Sequence, residues 1–219
     1  MRRHALHIAT VAIAFGLIAI ALAAILAGVP LSAAPQPLDA TRPITYFIAN
    51  GSERTGFRPT DQQLAVWAFD AWRRNADGGL RFDAASEPDA VIRLYWADPR
   101  DGQYGEMRRI VVAGRRGAAV FIRPDVDLLG PDIAERARAD VLLRDTVVYL
   151  TCLHELGHAL GLEHTQDFRD IMYFFGYGGD IVQYFGRYRA QIRSRRDIAA
   201  ISGLSDADVK RLRSVYPRQ

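Results

Sequence analysis

The chain has 219 residues, 49% of them hydrophobic, with a formal charge of +3 at pH 7. That leaves room for one globular domain of ordinary size and an appendage, with no internal repeat. The charge is too slight to imply a nucleic-acid partner, and the predominance of arginine over the sole lysine, Lys210, reads as coding bias.

The appendage is N-terminal. The 22 residues from Ile8 to Val29 carry no charge, and as a helix they extend about 33 Å, enough to cross a bilayer core. Arg2 and Arg3 precede this segment, whereas Pro30 to Ala40 holds no Lys or Arg, so the positive-inside bias keeps residues 1–7 in the cytoplasm and the rest of the chain outside it. A cleaved signal is the alternative, with Ser32-Ala33-Ala34 as the small residues. Against it, the apolar run exceeds the roughly 7–15 residues of a signal core, and Pro35 is a poor first residue for a mature chain. Membrane-anchored and secreted forms both follow from these features. Residues 30–42 read as an extended Pro- and Ala-rich linker, and 43–219 as the domain.

Ile44-Thr45-Tyr46-Phe47-Ile48 is a β-rich run that stops at the turn signal Asn50-Gly51, so a strand opens the domain. A helix follows, with Thr60 as N-cap and Gln63 as its capping-box partner. Leu64, Trp67, Ala68, Ala71 and Trp72 form its apolar face, and Gly78-Gly79 ends it. That aromatic stripe reads as core against a sheet rather than as a ligand platform. Leu80 to Asp83, Ala90 to Trp96, Arg109 to Ala113 and Ala118 to Arg123 read as four more strands separated by turn residues. A long apolar helix spans Arg144 to Leu160, and Ser205 caps a last amphipathic helix through Val209, Leu212 and Val215.

The long helix carries the chemistry. Residues 154–164 read His-Glu-Leu-Gly-His-Ala-Leu-Gly-Leu-Glu-His. His154 and His158, four apart, project from one helix face and reach one metal ion. Glu155 lies beside that face, placed to act on the attacking water rather than on the metal. Gly161 can adopt the positive φ that ends a helix and turns the chain back, offering His164 as a third ligand. Three imidazoles leave a fourth coordination position open, as in a catalytic zinc site. The remaining histidines, His4 and His7, lie before the domain, so the folded part keeps histidine for this motif alone. Cys152 has no disulfide partner and reads as a small buried apolar residue.

On this motif and the following Asp170-Ile171-Met172-Tyr173, the chain resembles the metzincin zinc endopeptidases, and within them the matrixin branch. Met172 is similar to the methionine of the turn that forms an apolar floor beneath the zinc. Thr165 is similar to the small hydroxyl residue of matrixins rather than the Glu of astacins, and Phe174 departs from the astacin tyrosine. The resemblance implies an α+β catalytic domain: a mixed, twisted five-stranded sheet, three main helices, and a zinc cleft between an upper and a lower subdomain. It implies an endopeptidase that takes protein or peptide substrates, with His154, His158 and His164 on one zinc ion and Glu155 as general base. An edge strand then pairs with extended substrate, and Arg109 to Ala113 matches it best. The family's histidines for a second, structural zinc are missing. Nor do residues between Val29 and Ile44 provide a prodomain or a cysteine for latency.

Asp98, Asp101, Asp125, Asp127 and Asp132 offer oxygen ligands of the kind calcium takes, although turn aspartates also serve as caps. The aromatic and arginine-rich run after Met172 is open to three readings: selecting substrate, docking on an anionic membrane, or packing as a helix with solvated arginines. The competing functional class is a membrane-tethered binding module whose zinc only holds the fold. It requires no general base, yet Glu155 is present. Oligomeric state is not encoded in any of these patterns.

Overall fold

In a computed structural model, residues 36–98 and 104–218 are described. The segment read as a membrane span, Ile8 to Val29, lies outside them. Among the described residues, no helix is long and apolar enough to cross a membrane.

The α+β expectation holds. Five strands form one mixed sheet: β1 (Ile44–Ile48), β2 (Phe82–Ala84), β3 (Ile92–Trp96), β4 (Gly105–Val112) and β5 (Arg115–Ile122), in the order β2-β1-β3-β5-β4. The pairs within β2-β1-β3-β5 are parallel; β4 runs antiparallel to β5 and forms an edge. β3 alternates strictly, with Ile92, Leu94 and Trp96 buried and Arg93 and Tyr95 partly exposed, as a sheet with one covered face requires.

Helix α1 (Asp61–Asn75) packs on α3 (Val141–Ala159), and α3 in turn lies against β4 and β5. The apolar face of α1 is core: Leu64, Ala68, Ala71 and Trp72 are fully buried, and Trp72 Nε1 donates to Leu153 O of α3 at 3.0 Å. The hydrogen bond satisfies the indole in an otherwise apolar setting. The capping box expected at Thr60 does not form, since Thr60 is helical and makes no side-chain cap. Asp61 takes over the position: its Oδ2 accepts from Arg58 N at 2.8 Å, and its carboxylate forms a buried two-pronged pair with Arg144 of α3. The last helix, α6 (Asp206–Val215), starts as read from the sequence. Ser205 and Asp208 make a complete capping box.

Further helices complete the domain, one of them in the run for which a packed helix was among the readings. α2 (Pro131–Ala139) has Pro131 in its first turn after Gly130, a start signal present in the sequence. α4 (Ile181–Arg189) lies in the aromatic and basic run, with Asp180 as its N-cap, and a short α5 (Asp197–Ala200) follows. In α4, Tyr184, Phe185 and Tyr188 are buried. Its arginines have partners within the chain: Arg187 donates to Phe168 O and Arg169 O, and Arg189 pairs with Asp140 at 2.7 Å. Arg195 pairs with Asp145 and lies over Trp67. Of the three readings of this run, the geometry supports a packed helix, and only Arg193 and Arg196 of the basic set are exposed.

The packed domain begins inside the segment read as linker. Leu38 is buried, and its N–H donates to the Tyr216 hydroxyl at 2.9 Å; that hydroxyl donates to Leu160 O at 3.0 Å.

Candidate active site

α3 brings His154 and His158 to one face near its end, and the helix then stops by a Schellman arrangement. Gly161, at φ +88°, donates its N–H to His158 O at 2.9 Å, and Leu162 N–H donates to Gly157 O at 2.9 Å. Gly161 is required twice over, because a side chain at that φ is strained and a Cβ there would lie 3.1 Å from Pro37. The reversal brings His164 back, with its Nε2 3.0 Å from His158 Nε2. One ligand atom from each of the three rings lies within 4.8 Å of the others. Among the described residues, no other His, Cys, Asp or Glu cluster of this kind occurs.

The rings are held from behind. His154 Nδ1 bonds Ile171 O at 2.7 Å and His158 Nδ1 bonds Leu162 O at 2.9 Å. A carbonyl only accepts, so both Nδ1 atoms carry the proton and both Nε2 lone pairs face the centre of the cluster. Burial pushes all three imidazoles toward the neutral form, His154 to about 3, with the neighbouring histidines adding to the effect on His154 and His158. Three neutral nitrogens converging on one point, with back-bonded rings, fit a zinc ion.

Glu155 is buried against the edge strand. A Cβ on Gly105 would come within 2.5 Å of Glu155 Oε1, so glycine at this position makes room for the carboxyl. Burial, and secondarily the charge of Glu106, pushes Glu155 up to about 8. Its affinity for a proton is thereby raised, while a cation at the histidines acts in the opposite direction.

Met172 lies where the sequence predicted a floor. It is fully buried, and a Cβ on Gly157 would meet its sulfur at 2.4 Å. The turn that carries it is closed by Thr165 N–H to Met172 O at 2.8 Å and Phe174 N–H to Thr165 O at 3.2 Å. Phe174 stacks on His164, ring centroids 4.7 Å apart, and remains 44% exposed at the mouth of the site. Cys152 is fully buried on the other side of α3, and burial pushes its thiol well up, as expected of a packing residue.

The histidines and Glu155 open into a cleft of about 560 Å³. Tyr104, Gly105 and Met107 at the start of β4 line one side, and Tyr173, Phe175, Ile181 and Tyr184 the other. The edge strand is therefore the one expected, but it starts earlier than Arg109, and its cleft-facing part is Tyr104 to Met107 rather than Arg109 to Ala113. The sequence reading also missed Gly105 and Gly157, whereas Tyr184 belongs to the aromatic run for which substrate selection was one of the readings. Gly105 looks like turn punctuation in a sequence and is explained only by the Glu155 carboxyl across from it.

Of the aspartates read as possible calcium ligands, two have partners within the chain. Asp125 caps a 3-10 turn through Asp127 N–H at 3.0 Å, Asp127 pairs with Arg138 at 2.8 Å, and Asp98 lends its carbonyl to Arg123. Asp132 lies in the first turn of α2, and Asp101 falls in the undescribed segment.

The chain is similar to several known proteins. The matrixin family model matches residues 39–201. A macrophage metalloelastase from Oryctolagus cuniculus is 30% identical over 138 residues, covering 61% of this chain and 28% of that protein. The chain thus spans less than a third of that relative's length. Two solved structures of myroilysin are each 16% identical to it. One has a TM-score of 0.38, covering 86% of this chain and 88% of the other; the second has a TM-score of 0.36, covering 81% and 80%.

Proposed function

The chain belongs to the matrixin family, and from that premise we propose that it is a zinc-dependent endopeptidase acting on protein or peptide substrates. The observation that carries the reading is the convergence of three neutral imidazoles, His154 and His158 bonded from behind, beside a buried carboxyl in an open cleft. His154, His158 and His164 would hold the metal. When bound, zinc supplies Lewis acidity toward water and toward the scissile carbonyl. A Glu155 carboxylate oxygen takes the proton of the attacking water and delivers it to the leaving amine. The free edge of β4 lies beside these groups, where an extended substrate can add as a further strand. Such pairing uses main-chain bonds and tolerates many sequences. Met172 and Gly157, in close contact, keep the floor beneath the histidines closed.

Metal analysis and chelation test this directly. Full-length protein is expected to bind about one zinc per chain and to hydrolyse casein; chelation is expected to abolish hydrolysis and added zinc to restore it. Two tightly held zinc ions per chain would contradict the assignment of one ligand set, and hydrolysis that survives complete chelation would contradict the mechanism.

The uncharged stretch from Ile8 to Val29 behind Arg2 and Arg3 supports a tether that places the catalytic domain outside the cytoplasmic membrane. Full-length protein is then expected to stay with membranes through high-salt and carbonate washing, because hydrophobic insertion is not screened by ions. The domain should be open to protease added from outside. Soluble extracytoplasmic protein beginning near Pro35 would establish a cleaved signal instead, and a domain retained in the cytoplasm would sink both forms.

A further inference from the structure

We propose that Tyr184 is a positioning residue for the metal ligand His154, joining the wall of the cleft to the metal centre through the carbonyl of Ile171. The proposal rests on the zinc-site reading above and concerns how that site is held. His154 Nδ1–H donates to Ile171 O at 2.7 Å, and the Tyr184 hydroxyl lies 3.2 Å from the same oxygen and 3.1 Å from Asp170 O. A carbonyl oxygen offers two lone pairs, and here imidazole and phenol each use one. Where that oxygen sits fixes the plane of the His154 ring and hence the aim of its Nε2.

A turn closed by Tyr173 N–H to Asp170 O at 3.3 Å surrounds this oxygen, but among the described residues no backbone N–H bonds it. Side chains do so instead. The Ile171 N–H donates to Asp208 Oδ2 of α6 at 2.7 Å, while Arg211 bonds both Asp170 and Asp208. The Ile171 residue is therefore gripped at its N–H by α6 and at its C=O by α4. Tyr184 is itself held on all sides. Phe168, Phe175 and Phe185 meet its ring edge-on, and the Arg187 guanidinium lies 4.4 Å from the ring centroid. The same ring lines the cleft. One side chain thus contacts the space that substrate would occupy and sets the anchor of a ligand.

Tyr184→Phe removes the hydroxyl and keeps the ring, so packing and cleft wall persist. Tyr188→Phe is the control: it lies one turn along α4, is equally buried, and donates its hydroxyl to Ile201 O at 2.6 Å, a carbonyl with no link to a ligand. The measurement is the zinc dissociation constant of full-length protein, from competition with a chromogenic chelator, beside thermal unfolding of the chelated proteins. Tyr184→Phe is expected to weaken zinc about 10-fold, as loss of a group that orients a ligand does. Its casein hydrolysis should recover when zinc is in excess, and KM should stay unchanged. Tyr188→Phe is expected to lower the unfolding temperature comparably and leave zinc affinity alone. Zinc binding by Tyr184→Phe at the parent's affinity, or equal weakening in both variants, would overturn the proposal while leaving the endopeptidase reading intact. A parent protein that binds no zinc would overturn both.

Discussion

Glu155→Gln is expected to leave one zinc per chain and the thermal transition nearly unchanged while lowering casein hydrolysis by about 10³-fold. General-base catalysis contributes roughly 10²–10⁴-fold, and an amide has no basic oxygen with which to take the proton. The substitution keeps size and shape in a pocket where Gly105 leaves no slack, so a lost rate reflects chemistry rather than repacking. The same experiment separates the two functional classes. A binding module whose metal only maintains the fold has no use for this carboxyl, and in that case parent and variant would be indistinguishable in every assay. Equal cleavage by the two proteins would mean that the base lies elsewhere.

The second large effect is on stability. Asp61→Ala is expected to cost about 3 kcal/mol, because it removes the two-pronged partner of the buried Arg144 guanidinium and leaves it only Asp145, at 3.5 Å and shared with Arg195. For a domain of this size that lowers the unfolding midpoint by roughly 10 °C. Arg144 also donates to Gly56 O and Pro124 O, at 3.2 and 3.3 Å, so it ties α1, α3 and the segment after β5 into one unit. The contrast is Arg73→Ala, which breaks the exposed pair with Asp70 and is expected to cost under about 0.5 kcal/mol. Thermal melts that show comparable losses for the two variants would remove Asp61 from its assigned structural role.

The parts of the site that could be read from the sequence are those fixed by spacing along one element. His154 and His158 are a helical turn apart, Gly161 is at the residue after the C-cap, and Ser205 pairs with Asp208 within the first turn of α6. Each is determined by backbone geometry within a few residues. The features that stayed hidden depend on partners far along the chain. Thr60 has the residue type of an N-cap, but Asp61 beside it is claimed by Arg144, 83 residues away, and the local rule gives way to the buried ion pair. Gly105 pairs with β5 as any strand residue does, and that it is glycine is explained only by Glu155, 50 positions later. Tyr184 stands out in the sequence only as one of an aromatic run, since its bond to Ile171 O exists only where α4 packs against the methionine turn.

The bond from Leu38 to Tyr216, and from Tyr216 to Leu160, has a mechanical meaning. Among the described residues Leu38 is the first buried one, and the Tyr216 hydroxyl links it to the residue just before Gly161. Pro37 also sits against Gly161 itself. A pull on the chain ahead of Leu38 therefore reaches the turn that delivers His164, and through the Asp39–Arg115 pair, 3.9 Å, the start of β5 as well. A tag or surface attachment on that side applies its strain one turn from the metal ligands.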